Sequence, residues 1–290
     1  MIKLALGTVQ FGSRYGIANQ NGQTSFIEAK KILQFAKSSN IDLIDTAMSY
    51  GNSEKIIGDT RVKNFKIVSK LPNIPKGCKN VNLWLEDKIQ LTLKNLNIKS
   101  LYGLLIHNTR NLNGALGKKL VESLIKFKLD GLIKKIGISI YDPSEFENII
   151  NLEKFDIVQA PLNIIDRRIE NSGWLSKLHS KKIEIHVRSV FLQGLLLMPR
   201  EKIPKKFNKW SNIWDQWFAE LNKKKLSATQ ACLLYPLSIP EIDRVIVGVE
   251  NFNQLNEIVS KSKMKIPRVD FSFMISNDSM LIDPTNWHKL

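Results

Sequence analysis

A closed barrel of eight parallel strands, each followed by a helix, is the fold class this sequence predicts, and three observations predict it. Short apolar runs alternate with longer amphipathic segments from residue 3 to Lys263. Eight such short runs can be counted. They are apolar almost throughout, as strands covered on both faces are, rather than at every second position. An open doubly wound sheet is the rival arrangement of the same units. A single (β/α)8 barrel takes roughly 250 residues, which 290 accommodate, and no Pro/Gly/Ser-rich linker divides the chain. The expectation is one barrel domain over residues 1–290, with a C-terminal tail from about residue 265.

The elements follow in chain order. The apolar start of the chain, residues 1–8, lacks a basic leader and a small-residue cleavage pattern, so residues 3–8 read as the first strand and not as a signal peptide. The amphipathic stretch Ser25–Ser39 is the first helix, and residues 42–46 are the second strand. Phe65-Lys66-Ile67-Val68-Ser69-Lys70 forms the third. Asn82–Leu96 is a helix because Leu85, Ile89, Leu93 and Leu96 fall on one face of it. Residues 101–106 make the fourth strand and stop at His107. The helix Leu116–Leu129 leads to the fifth strand at 134–139, and the helix Pro143–Leu152 to the sixth at 155–159. Gly173–Ser180 precedes the seventh strand, 184–188. A long connection carrying Trp210, Trp214 and Trp217 follows, then the helix Ala228–Leu237, the eighth strand at 244–248 and the helix Phe252–Ser262. The helical spacing of Trp214 and Trp217 points to docking on the barrel more than to ligand contact.

The net charge of +16 raises the question of a nucleic-acid or membrane partner. The basic residues are scattered as pairs such as Lys118-Lys119 and Lys181-Lys182, in a chain also rich in Ile and Asn, so compositional drift accounts for them. No nucleic acid is expected as partner, whereas phosphorylated small molecules suit the charge. No apolar run reaches the roughly 18 residues of a membrane span. Cys78 and Cys232 have neither disulfide-framework nor metal-ligand spacing, and the four histidines include no close His-x-His pair, so no metal site is expected. A reducing cytoplasm fits this cysteine usage.

The chemistry concentrates at strand ends. Asp45, Lys70 and His107 close the second, third and fourth predicted strands, and Tyr50 lies in the loop after the second. In a barrel such positions converge on one mouth. A phenol with an ordinary pKa of about 10 is a weak acid near neutrality, and a nearby ammonium favours its phenolate. Tyr50 would be the general acid, Lys70 its tuner, Asp45 the anchor of Lys70, and His107 a group that orients a carbonyl oxygen or relays a proton. The set suits carbonyl reduction. Taken singly, such residues are more often a cap, a packing ring or a loop residue, and it is their joint placement that points to function.

With these residues in place, the chain resembles the aldo-keto reductase superfamily over nearly its whole length: Gly7-Thr8, Asp45-Thr46-Ala47 with Tyr50-Gly51 and Ser53-Glu54, Lys70, His107, Gly137-Ile138-Ser139, Gln159, Gln193-Gly194-Leu195 and Ile246-Val247-Gly248. The resemblance implies a (β/α)8 TIM barrel, metal-free reversible carbonyl reduction of a small molecule, and NADP as cofactor, with NAD as the other choice. It implies that Gly7, Thr8, Ser139, Gln159, Arg188, Ser189, Gly194, Gly248, Glu250, Gln254 and Glu257 hold that cofactor. Ser139 and Gln159 resemble the pair that binds the nicotinamide carboxamide, although Ile140 stands where relatives commonly carry Asn. Arg188 occupies the position of a stacking aromatic, and would contact the pyrophosphate or an anionic substrate, or pair with a loop carboxylate. The turn at 248–252 resembles the one that receives the adenosine phosphate on a helix amino terminus. Glu250 there would repel a 2′-phosphate and accept from a free ribose hydroxyl. The tail Asp283-Pro284-Thr285-Asn286-Trp287 resembles bacterial surface-polysaccharide enzymes, which points to a sugar-derived substrate. Potassium-channel β subunits also resemble this family, so a cofactor-binding regulatory or scaffold protein with little turnover is the alternative.

Overall fold

The computed structural model of the chain describes residues 3–149, 154–264 and 270–290. Eight strands form a closed barrel in sequence order: β1 Leu4–Gly7, β2 Leu43–Asp45, β3 Lys66–Leu71, β4 Leu101–Ile106, β5 Ile133–Ser139, β6 Ile157–Pro161, β7 Glu184–Arg188 and β8 Arg244–Gly248. Every neighbouring pair is parallel, and β8 closes on β1 with Leu4 opposite Val245 and Gly7 opposite Gly248. This is the (β/α)8 barrel, and not the open sheet.

Alternation along the strands produces two cores. Ala5, Leu43, Val68, Leu105, Ile157 and Ile246 fill the barrel's interior, while side chains such as Leu4, Leu6, Ile44, Leu104 and Ile106 pack outward beneath the helices. Both faces of each strand are therefore apolar, which is why the sequence shows runs rather than alternation. Gly137 belongs to the tight interior: a Cβ there would lie 2.3 Å from Leu105 and 2.5 Å from the carbonyl oxygen of Ile157.

Helices over Phe26–Ser38, Val81–Leu96, Gly114–Leu129, Trp174–Ser180, Ala228–Leu237 and Phe252–Ser262 follow the expected segments. Their ends are set by side chains. Ser25 and Asn80 accept from backbone N–H groups three residues on, and Ser227 and Gln230 form a capping box. The expected helix Pro143–Leu152 is instead a 3-10 turn, Pro143–Asn148, with Ile149 extended. The Glu145 carboxylate folds back onto the amides of Tyr141 and Asp142, tightening the start of that segment. Positions 150–152 lie outside the described residues, as do positions 1–2 and the first five residues of the tail.

Among the described residues, two helices of more than one turn go beyond the expected set, Ser53–Asp59 and Ser211–Lys224, together with the single turns Val9–Gly12, Arg168–Asn171 and Ser279–Ile282. Ser211–Lys224 buries Trp214 and Trp217 against the barrel, where Trp217 meets Phe271 at 5.4 Å between ring centroids. Trp287 packs on Phe207 at 5.0 Å and donates from Nε1 to the carbonyl of Leu281. These indoles are part of the packing, as the spacing of Trp214 and Trp217 indicates. Among the described residues no helix is long and apolar enough to cross a membrane.

Candidate active site

The β2 end is where the chain builds its most constrained loop. Lys70 is 1% exposed. Its Nζ donates to Asp45 Oδ2 at 2.6 Å, to the carbonyl of Thr46 at 3.0 Å and to the Tyr50 hydroxyl at 3.4 Å. All three ammonium protons thus have acceptors, which a buried charge requires. Asp45 accepts a second bond on Oδ1 from Gln159 Nε2 at 2.7 Å. Burial alone would pull the Lys70 pKa down, yet Asp45 and Tyr50 hold it above the ordinary lysine value. The ammonium stays charged beside the phenol.

The backbone around Tyr50 is held by contacts that the sequence does not advertise. A Cβ on Gly12 would sit 1.6 Å from the carbonyl oxygen of Tyr50, and one on Gly51, whose φ is +52°, would sit 2.2 Å from the carbonyl of Gly12. Only two glycines let the loop after β1 lie directly on the loop after β2. Beneath them, Ser53 Oγ donates to the Thr8 carbonyl at 2.9 Å, and Thr8 Oγ1 donates to the carbonyl of Asp45 at 3.0 Å. The Thr8 hydroxyl, expected to serve a cofactor, is in this way bonded to the end of β2, although the residue also lines the cavity described next.

A cavity of about 750 Å³ opens over these groups. Asp45, Tyr50 and His107 line it, as do Gly7, Thr8, Arg188, Ser189, Gly194, Gly248, Glu250, Gln254 and Glu257. The His107 ring stands 6.2 Å from that of Tyr50, nearly perpendicular at 80°. Burial, helped by the charges of Lys70 and Arg188, lowers the His107 pKa to about 4. At neutral pH it is an uncharged imidazole with one N–H to donate.

Three expected residues, Lys70, Ser139 and Gln159, stand behind the cavity wall. Ser139 and Gln159 are register partners on β5 and β6, and Ser139 Oγ and Gln159 Oε1 are buried without a hydrogen-bond partner. An unpartnered hydroxyl beside an unpartnered amide oxygen suits a carboxamide, which donates and accepts at once. The residues present therefore fit a nicotinamide.

The opposite end of the cavity departs from expectation. The Phe252 amide donates to Glu28 Oε1 at 2.6 Å and the Gln254 amide to Asn251 Oδ1 at 3.0 Å. Two of the amides that would receive a phosphate are already bonded. Gln254 Oε1 accepts from the Glu250 amide at 2.7 Å, and Glu250 Oε2 accepts from Asn21 Nδ2 at 2.9 Å. With Glu28, Glu250 and Glu257 nearby, this helix start offers carboxylates where a 2′-phosphate would need cations.

Arg188 makes no ion pair among the described residues, where the loop-carboxylate reading would need one. It donates from Nη2 to the carbonyl of Ile140 at 3.0 Å and from Nη1 to Ser189 Oγ at 3.3 Å, with its guanidinium 4.5 Å from the Tyr141 ring centroid. The loop that follows is strained: Ser189, Leu192 and Gln193 all have positive φ, and so does Gly194. A Cβ on Gly194 would lie 2.7 Å from that of Ala18. Gln193 ties this loop to the one after β1, its carbonyl accepting from the Ile17 amide at 3.1 Å and its Nε2 donating to the Tyr15 hydroxyl at 3.3 Å. Tyr15, Tyr141 and Gln193 line the cavity and are missing from the expected site. Gln193 falls in a stretch the resemblance flagged, whereas the two tyrosines carry no local signal.

Comparison with known proteins agrees with this geometry. The sequence model of the Aldo/keto reductase family matches residues 3–274. Among solved structures, an aldo-keto reductase from Bacillus halodurans in its holo form has a TM-score of 0.74 at 17% identity, over 94% of this chain and 90% of that one. The glycerol dehydrogenase from Gluconobacter oxydans has a TM-score of 0.69 at 19% identity, over 97% and 92%. At such identities the likeness is one of fold. No match was found among curated proteins.

Proposed function

Because the chain belongs to the aldo/keto reductase family, whose fold and chemistry are those of oxidoreductases acting on carbonyls, we propose that it reduces a small-molecule carbonyl with a nicotinamide dinucleotide, Tyr50 giving the proton. One observation carries the proton assignment. The Tyr50 oxygen accepts from a buried, fully bonded ammonium, which leaves the phenol's own O–H to donate into the cavity.

A reduced nicotinamide, when bound, would be the source of the hydride that the carbonyl carbon takes up. Ser139 and Gln159 would hold its carboxamide, and Gly194 and Gly248, which line the cavity, let Ala18 and Gln10 pack close against them. Asp45 keeps Lys70 charged and in place, Lys70 stabilises the phenolate that remains after proton transfer, and neutral His107 donates to the carbonyl oxygen without competing for the proton.

The carboxylates around the start of the helix Phe252–Ser262 favour NADH over NADPH, against the expectation from resemblance alone. A coupled absorbance screen with both reduced cofactors against simple aldehydes, sugars and sugar nucleotides tests the whole reading. Turnover of a carbonyl is expected, and Glu250→Arg should shift the ratio of cofactor affinities toward NADPH. An unchanged ratio would place the Glu250 carboxylate away from the ribose. Cofactor binding without turnover of any carbonyl would favour the regulatory or scaffold reading instead.

A further inference from the structure

Arg188 presents a charge that no described acid answers. Its guanidinium has five N–H donors, and two of them go to neutral acceptors, the Ile140 carbonyl and the Ser189 hydroxyl. The Tyr141 ring fixes its plane. The side chain is half-buried, lines the cavity and lies close enough to His107 for its charge to help keep that imidazole neutral.

The cavity is electrically divided. Of the carboxylates that line it, Asp45 is neutralised by Lys70 and bonded to Gln159, while Glu250 and Glu257 belong to the segment after β8. Lys202 adds a further cation to the wall. The part next to His107 therefore carries the Arg188 charge, on a fork whose orientation is already fixed. Fixing the fork before a ligand arrives lowers the entropy cost of binding an anion, and the fork geometry matches a carboxylate or phosphate.

We propose that Arg188 is the receptor for an anionic group on the substrate, so that this site takes aldehydes or ketones that also bear a carboxylate or phosphate. The inference rests on the reductase reading for the carbonyl alone. The anion subsite can be tested without turnover.

Two matched pairs separate the possibilities. Succinic semialdehyde and butanal compare turnover with and without a carboxylate. 4-Hydroxybutyrate and 1-butanol, titrated calorimetrically into protein saturated with reduced cofactor, compare binding with no reaction possible. In the wild type the charged member of each pair is expected to be preferred by about tenfold or more, the range of one charge-assisted hydrogen bond. Arg188→Leu should bring both ratios toward one, and Arg188→Lys, which keeps the charge and loses the fork, should retain part of the preference. Ratios that are near one in the wild type, or that survive Arg188→Leu, overturn the inference, as does a variant that loses only cofactor affinity. If neither aldehyde is reduced but 4-hydroxybutyrate still binds through Arg188, the anion subsite stands and the reductase reading falls.

Discussion

The barrel holds the same four chemical groups toward both ends of its interior, and the set at the C-terminal ends opens on the cavity described above. At the C-terminal ends of the strands stand Asp45, Lys70, Tyr50 and His107; toward the N-terminal ends stand Glu184, Lys135 and Tyr102, with His186 mid-strand beside Glu184. In the lower set Lys135 Nζ donates to Glu184 Oε2 at 2.7 Å, and the Tyr102 hydroxyl donates to the same carboxylate at 3.0 Å. The difference lies in which way the phenol's proton points. Tyr102 gives its proton to an anion, and burial together with that anion raises its pKa despite Lys135. Tyr50 accepts from a cation and keeps its proton for the cavity. The inventory of residues is thus insufficient for catalysis. What distinguishes the ends is hydrogen-bond direction, and a space where a substrate can meet it.

The largest expected effect separates the two lysines. Lys70 is sealed in, whereas the Lys135 side chain is 34% exposed. Lys70→Met leaves Asp45 buried with an unanswered charge and should cost about 3–5 kcal/mol of stability, along with turnover. Lys135→Met removes a partly solvated partner and should cost about 1 kcal/mol or less. Denaturant unfolding of both variants checks this, and similar losses would mean that the two pairs are equally desolvated. The sign of the pH effect follows from the raised Lys70 pKa: its contribution is complete below the unfolded value of 10.5 and is lost only as the pH climbs through the higher folded value.

Next in size is the contrast between the tyrosines. Tyr50→Phe removes the proton donor and should lower turnover by about two or more orders of magnitude, with cofactor binding nearly intact. Tyr102→Phe should leave turnover within about twofold and change stability by about 1 kcal/mol, the net worth of one hydrogen bond. Steady-state kinetics under chemistry-limited conditions decide it. A Tyr50→Phe protein that keeps most of its rate would remove this residue from the proton path.

These two ends also differ in how far they can be read from the sequence. Asp45, Lys70 and His107 each stop an apolar run, so their convergence follows once the runs are taken as barrel strands. Tyr102, Lys135 and Glu184 fall at or near strand starts, and His186 mid-strand, where a polar residue in an apolar run shows neither its direction nor its partners. The barrel itself is legible because strands covered on both faces and amphipathic helices write different periods. The helix Ser211–Lys224 is less so, since its indoles sit in a connection of otherwise mixed composition. Contacts between distant segments are hidden altogether. Gly12 against Tyr50, Gln193 against Ile17 and Tyr15, and Glu28 on the helix that begins at Phe252 depend on closure of the barrel, and no local pattern encodes them.

The effect that is smallest at neutral pH, and emerges only in acid, concerns the histidines. Burial, then Lys70 and Arg188, lower the His107 pKa from 6.5 to about 4, so between those values the unfolded chain binds a proton that the folded protein refuses. Stability owed to this group is complete above about pH 6.5 and is lost as the pH falls toward 4, by at most about 3 kcal/mol. His107→Gln keeps a donor and cannot titrate. Its stability should therefore fall less steeply than that of the wild type between pH 6.5 and 4, and the gap between the two should change in that window. His186→Gln provides the reference for removing a buried histidine from the other end of the barrel. In the wild type the pH dependence of turnover should show no break near 6.5 from His107, because the imidazole is already neutral there. Thermal unfolding of the three proteins across this range makes the measurement. A His107→Gln curve parallel to the wild type would mean that His107 titrates near its ordinary value, and that it could carry a charge into the reaction.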